Sequence, residues 1–171
     1  QAGPDAAELL GDAVERAAPE LSDADHAVDA YGGVGLFAAT AMHGVRHVTL
    51  IESARSSCFG AEKNLAGRSG QGPKSLGVVR AEVGAWRPAE GATPVDVVVA
   101  DPARPGLAKP GVATVVATNT PVLVLVSCDP VSLARDARLL ADNGYRMERI
   151  EVFDLFPQTP HVECVTRFVK R

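Results

Sequence analysis

The chain has 171 residues, 46 % hydrophobic and 22 % charged, enough for one domain with a sizeable core. Its net charge of −4 argues against a broadly basic nucleic-acid surface, though not against a local basic patch. No apolar run approaches the roughly 20 residues that span a bilayer, and no basic-then-apolar signal segment is visible. Three cysteines, Cys58, Cys128 and Cys164, cannot all pair with one another. Their spacing fits neither zinc nor a disulfide scaffold, so the expected setting is reducing and cytoplasmic, without a metal. The chain opens on Gln1 with no initiator Met, and reads as a piece of something longer.

Residues 4–18 form an amphipathic helical pattern with Pro4 near its start. Strand and helix signals then alternate. "HAVDAY" (26–31) reads as a strand, "VGLFAATAMH" (34–43) as a helix, "HVTLIE" (47–52) as a strand and "ARSSCFGAEKNLA" (54–66) as a helix. "GRSGQGPKS" (67–75) is a loop by its Gly and Ser content. Strands follow at 76–83 and 95–101, and 110–119 reads as a helix despite its β-branched residues, because parallel strands need a crossover. "VLVLVSC" (122–128) is a buried strand; 130–144 is a helix with Pro130 in its first turn and Gly144 at its end. Strands at 145–154 and 163–170 have no room for a crossover and should pair antiparallel. The alternation implies one α/β domain over 1–171, with seven strands, a mostly parallel sheet and helices on both faces.

Chemistry should gather where the strands end. In "DAYGGVGLFAA" (29–39), Gly33 and Gly35 permit a tight turn and close backbone approach to a ligand, and the following helix start offers free N–H groups. Glu52 ends the second strand, where a carboxylate can accept both hydroxyls of a ribose. Two cofactors fit. Gly33 to Ala38 matches G-x-G-x-x-A, a dinucleotide fingerprint. Asp29 to Gly35 matches D-x-x-x-G-x-G, which suits S-adenosylmethionine, since Asp29 favours a cationic methionine amino group over a pyrophosphate. Glu82, placed at the end of the third strand, could receive an adenine amino group or could be a solvated strand-end acid. Asp101 opens "DPARPGL" just beyond the fourth strand.

Cys128 sits at the mouth of the fifth strand and the start of a helix, whose dipole favours thiolate; its alternative is a buried small hydrophobe. Cys58 and Cys164 are assigned to that second fate. A thiolate beside a methyl donor suits uracil C5, an atom unreactive until C6 is attacked. A base must then remove the C5 proton. Glu163 is the candidate, with a plain surface carboxylate as its alternative, and His161 is divided between loop packing and substrate contact.

Together "DAYGGVGLF", "DPARPGL", "VSCDPVSLARD" and above all "GYRMERIEVFDLFPQTPHVE" resemble the RNA 5-methyluridine (uracil-C5) methyltransferases, which act on transfer and ribosomal RNA. The resemblance covers nearly the whole chain as the catalytic domain. It implies a class I S-adenosylmethionine-dependent methyltransferase (Rossmann-like) fold, S-adenosylmethionine as cofactor, and RNA as partner, with a flipped-out uridine methylated at C5. By the same resemblance Cys128 is the nucleophile and Glu163 the base. Gln1, Tyr31, Gly33, Glu52, Glu82 and Asp101 fall where the family contacts the cofactor, beside Asp29 and Gly35 of the glycine loop; Leu36 matches a lining position but could offer only its backbone. Arg104 and Arg135 match positions near the RNA and the nucleophile loop. Two departures stand out. Gly32 replaces a common Cys, which should be tolerable. Asp129 replaces an Asn and should repel the thiolate unless turned away. The RNA-binding barrel and connecting domain of the family have no counterpart in these residues. Methylation of another acceptor, a remnant that only binds cofactor, and a dehydrogenase are the competing readings.

Overall fold

The computed structural model describes residues 4–66, 72–155 and 162–171. Five helices occur among them: α1 (Pro4–Ala17), α2 (Leu36–Ala39), α3 (Arg55–Ala66), α4 (Ala108–Thr118) and α5 (Pro130–Asp142). The strands are β1 (His26–Ala30), β2 (His47–Glu52), β3 (Ser75–Arg80), β4 (Val97–Ala100), β5 (Val122–Ser127), β6 (Tyr145–Phe153) and β7 (Glu163–Lys170). They form one sheet in the order β3-β2-β1-β4-β5-β7-β6. The pairs among β1 to β5 are parallel, whereas β7 runs antiparallel to both its neighbours.

Alternation along the strands sends side chains to two cores. Val97 and Val99 join Leu10, Val14, Phe37 and Leu50 under α1 and α2. Val98 and Ala100 join Val112, Val115, Leu133 and Leu140 under α4 and α5. β5 is buried along its whole length, which explains its uninterrupted apolar run. The edge strand β6 is mostly exposed, and a register shift between Met147 and Arg149 interrupts its ladder. Such an irregularity blunts an open edge. Arg167 on β7 ties this end of the sheet to α1, bonding both Glu20 oxygens at 2.7 and 2.9 Å and the Ala17 carbonyl at 2.8 Å.

Two elements differ from expectation. The helix expected over 34–43 shortens to the four residues of α2. Gly35 is left-handed at φ 87°, which delays the start, and the Thr40 hydroxyl bonds back to the Leu36 carbonyl at 2.9 Å as the helix ends. The strand expected over 76–83 stops at Arg80; the chain then makes a 3-10 turn, Val83–Ala85, that buries Val83. Glu82 therefore sits in a loop beyond the strand and is exposed.

Candidate active site

The sheet order reverses between β1 and β4, and open α/β sheets bind ligands in the crevice beyond the carboxyl ends of strands at such a point. Glu52 ends β2, and Asp101 and Cys128 lie just past the carboxyl ends of β4 and β5. Gln1 and His161 lie outside the described residues.

The glycine loop turns on three left-handed residues, Tyr31, Gly33 and Gly35, at φ 63°, 54° and 87°. Glu52 closes over it: one carboxylate oxygen accepts from the Gly33 amide at 3.1 Å and the other from the Ala54 amide at 2.7 Å. A Cβ at Gly32 would press on the buried side chain of Leu50, so Leu50 fills the room that a side chain there would need. The expectation of free amides at the start of the next helix needs correction. α2 is one turn long, and its Ala38 amide donates to Asp29 at 3.3 Å.

Asp29 is fully buried and its other oxygen, Oδ1, has no hydrogen-bond partner. Burial pushes its carboxyl up to about 7; the Ala38 amide opposes this, and the charges of Asp101 and Glu52 add to it. A buried acceptor left unsatisfied, in reach of two further carboxylates, is an environment made for a cation with a hydrogen to donate.

The second half of the site follows from the β5/β7 register. Ser127 pairs with Cys164; Cys128 follows that pair on β5, and Glu163 precedes it on β7. Asp101 joins them from the end of β4, where its amide donates to the Ala30 carbonyl at 3.2 Å. The residue is exposed overall, while desolvation of its carboxyl, and then the Glu163 charge, raise its pKa. Burial likewise raises the Glu163 carboxyl.

The helix dipole was expected to favour a thiolate at Cys128. The balance falls the other way: burial, followed by the Glu163 charge, pushes the thiol up. Arg104, exposed in the loop after β4, acts in the opposite sense but is the smaller influence. Cys58 and Cys164 are buried free thiols, and Cys58 donates to the Glu52 carbonyl at 3.4 Å.

Asp129, expected to trouble the thiol, is turned into the helix. It is the N-cap of α5, and its carboxylate accepts from the Ser132 amide at 2.7 Å. Asp and Asn cap helices about equally well, which accounts for the exchange.

Tyr31 extends its hydroxyl to α4, where a Cβ at Gly111 would stand 2.8 Å from it. Burial first, then the charges of Asp136 and Glu82, raise its phenol pKa. Arg135 is spent on the protein: it bonds Asp136 at 2.8 Å and donates to the Pro105 carbonyl. Asp136 itself escaped the sequence reading. Its signal was a carboxylate on the buried stripe of α5 with Leu133 and Leu140.

Cavities of about 410 and 380 Å³ lie away from this edge, one between α3 and β3 and one below α1. Among the described residues no cluster of three or more His, Cys, Asp or Glu is placed to hold a metal ion, and no helix is long and apolar enough to cross a membrane.

Comparison with known proteins places this geometry. The family described as tRNA (uracil-5-)-methyltransferase matches residues 92–171. An uncharacterized RNA methyltransferase of Streptomyces avermitilis is 39 % identical over 144 residues, covering 82 % of this chain and 32 % of that protein. One from Enterococcus faecalis is 34 % identical over 170 residues, covering 99 % and 37 %. The chain thus spans about a third of the length of the curated relatives it matches. Among solved structures, the Pyrococcus abyssi tRNA (uracil-54, C5)-methyltransferase in complex with S-adenosyl-L-homocysteine superposes with a TM-score of 0.73 at 29 % identity, over 92 % of this chain and 38 % of that one. A putative RNA methyltransferase of Pyrococcus horikoshii, 15 % identical with a TM-score of 0.71, shares the fold. With its seven-stranded class I methyltransferase sheet, the chain belongs to the tRNA (uracil-5-)-methyltransferase family.

Proposed function

We propose that the chain carries the cofactor-binding and catalytic part of an S-adenosylmethionine-dependent RNA methyltransferase that acts on C5 of uridine in transfer or ribosomal RNA. The carrying observation is that Cys128 follows and Glu163 precedes the Ser127–Cys164 pair that ends the β5/β7 ladder, close enough for the Glu163 charge to act on the thiol.

The residues suit the cofactor. Asp29 offers a buried acceptor to a cationic amino group, and Glu52 offers carboxylate oxygens at the end of β2 for ribose hydroxyls. Tyr31, Gly33 and Gly35 shape the loop between them, and the exposed carboxylates of Asp101 and Glu82 are assigned to the cofactor, Glu82 to its adenine. When bound, S-adenosylmethionine supplies an electrophilic methyl group on a sulfonium.

Cys128, once deprotonated, forms a bond from Sγ to uracil C6, and the electron pair of the 5,6 double bond passes toward the C4 carbonyl. C5 thereby becomes the carbon that accepts the methyl group. Glu163 then takes the C5 proton; the freed pair restores the double bond as the C6–S bond breaks and the thiolate leaves. Arg104, exposed in the loop after β4, is assigned to an RNA phosphate.

The test is tritium release from RNA carrying uridine labelled at C5, with S-adenosylmethionine present. Wild-type chain should release tritium and Cys128→Ser should not, a fall of about 1000-fold or more. Turnover that survives in Cys128→Ser would move the chain to another acceptor chemistry.

A further inference from the structure

The cations of this chain are unevenly tied down. Every arginine of α1, α5, β6 and β7 stands in an ion pair: Arg16, Arg135, Arg138, Arg146, Arg149 and Arg167. Among the described residues, Arg55 and Lys63 on α3 and Arg80 at the end of β3 stand in none, and all three are exposed. The β2/β3 register sets Glu52 against Arg80, but the Glu52 oxygens are engaged by the Gly33 and Ala54 amides at 3.1 and 2.7 Å. The one carboxylate on α3, Glu62, lines the cavity toward β3. A ring stands between the α3 cations. Phe59 is 56 % exposed, four residues after Arg55 and four before Lys63, so the three share one face of the helix. The Lys63 ammonium lies 4.6 Å from the Phe59 ring centroid.

This face is joined to the candidate site. α3 begins just after Glu52 ends β2, so Arg55 lies at the same edge of the sheet as Arg80. The Asn64 side chain donates to the Val34 carbonyl of the glycine loop at 3.0 Å, and a Cβ at Gly60 would stand 3.1 Å from the Val34 side chain. β2 is three strand positions from β5, roughly 15 Å, so a chain of nucleotides entering at Cys128 needs only a few more to reach α3. A single exposed phenylalanine is ordinary on a protein surface. One set between two unpaired cations has the composition of a single-stranded nucleic-acid platform, in which a ring takes a base and cations take the phosphates. Charge decides the occupant: in a chain of net charge −4, a flank of unpaired cations suits a polyanion.

We propose that the exposed face of α3, with Arg80 at the neighbouring strand end, binds the single-stranded RNA that flanks the target uridine. Phe59 stacks a base, and Arg55, Lys63 and Arg80 hold phosphates. The inference rests on RNA as the substrate in the proposed function, and not on the chemistry at Cys128.

The experiment measures binding of a fluorescent, unstructured, uridine-containing RNA of about 12 nucleotides to the full chain, by anisotropy across a salt series. Phe59→Ala and Phe59→Leu should each weaken binding about fivefold or more with the salt slope unchanged, whereas Phe59→Trp should keep it. Leu tests the ring itself, since it is apolar but cannot stack. Arg55→Ala, Lys63→Ala and Arg80→Ala should each flatten the slope of log affinity against log salt by about 0.7, the share of one phosphate contact. The Phe59 and Lys63 variants should bind S-adenosylmethionine as wild type does. A wild-type chain that binds no RNA, or variants that bind it as wild type does, overturns the surface. Lost self-association in Phe59→Ala with RNA affinity intact also overturns it, and gives the face to a protein partner. Tritium release that continues in wild type under any of these results leaves the proposed function standing. RNA affinity that depends on Phe59, with no tritium release from any protein, sinks methylation at C5 and leaves the surface in place.

Discussion

Cys128 follows and Glu163 precedes the Ser127–Cys164 pair that ends the β5/β7 ladder, and the Glu163 charge acts on the thiol. The carboxylate there has opposed effects, since its charge hinders formation of the thiolate that the proposed reaction needs. Glu163→Gln should separate the two. Alkylation of Cys128 at pH 8 should become faster, because the second-largest cause of its raised pKa is gone. Tritium release should nevertheless drop about 10²–10⁴-fold, and a covalent RNA adduct should accumulate on denaturing gels. A variant that turns over normally would remove Glu163 from the role of base.

Asp29 gives a pH signature. Its carboxyl is raised from an ordinary 3.8 to about 7, so the folded chain holds that proton more tightly than the unfolded chain. The folded state gains most from this below about pH 4, and the gain is lost as pH climbs to about 7. Asp29→Asn does not titrate. It should melt like wild type near pH 4 and higher than wild type at pH 8, by about 2–4 °C for each kcal/mol removed. Melting curves that stay parallel across this window would contradict the buried, unsatisfied carboxylate.

Glu52→Gln should weaken S-adenosylmethionine binding about tenfold or more by calorimetry, because one charged acceptor is lost. Alkylation of Cys128 should keep its wild-type pH profile, since Glu52 is not among the charges acting on that thiol. Full affinity in the variant would take Glu52 out of the ribose site.

At Asp129 the outcome depends on the replacement. Asn keeps the cap on Ser132, so stability should hold; Ala removes it and should cost about 0.5–2 kcal/mol by denaturant unfolding. Neither should change the pH profile of Cys128 alkylation by much, because the carboxylate faces the helix. A clear drop in the thiol pKa of Asp129→Asn would restore the repulsion that the residue's position in sequence suggested.

What could be read from sequence alone was whatever depends on local pattern. β2 and β7 occupy the residues that hydrophobic runs assigned, 47–52 and 163–170, because apolar residues and their flanking punctuation are local properties. The ends of strands then gave the cleft. α2 was overdrawn because Ala41 and Met42, beyond its end, are buried, but in a turn rather than a helix. The state of Cys128 was misjudged for a similar reason: a nearby helix start is visible in sequence, whereas the carboxylate acting on it arrives from β7, 35 residues on. Asp136 grips a loop about 30 positions earlier in the chain, and no spacing rule links the two.

The insertion of β7 between β5 and β6 has a consequence for how the molecule opens. β6 has no other neighbour in the sheet, so it can join only with or after β7. The pair is then a hairpin unit docked on an otherwise parallel platform, tethered to α1 through Arg167 at the Ala17 carbonyl and through Arg16 to Glu151 at 3.1 Å. Detachment of that unit would carry Glu163 away from Cys128 and leave Asp29 and Glu52 in place. Partial opening of this kind would abolish the proposed chemistry while sparing the residues proposed to hold the cofactor, and slow hydrogen exchange along β6 and β7 would report how often it happens.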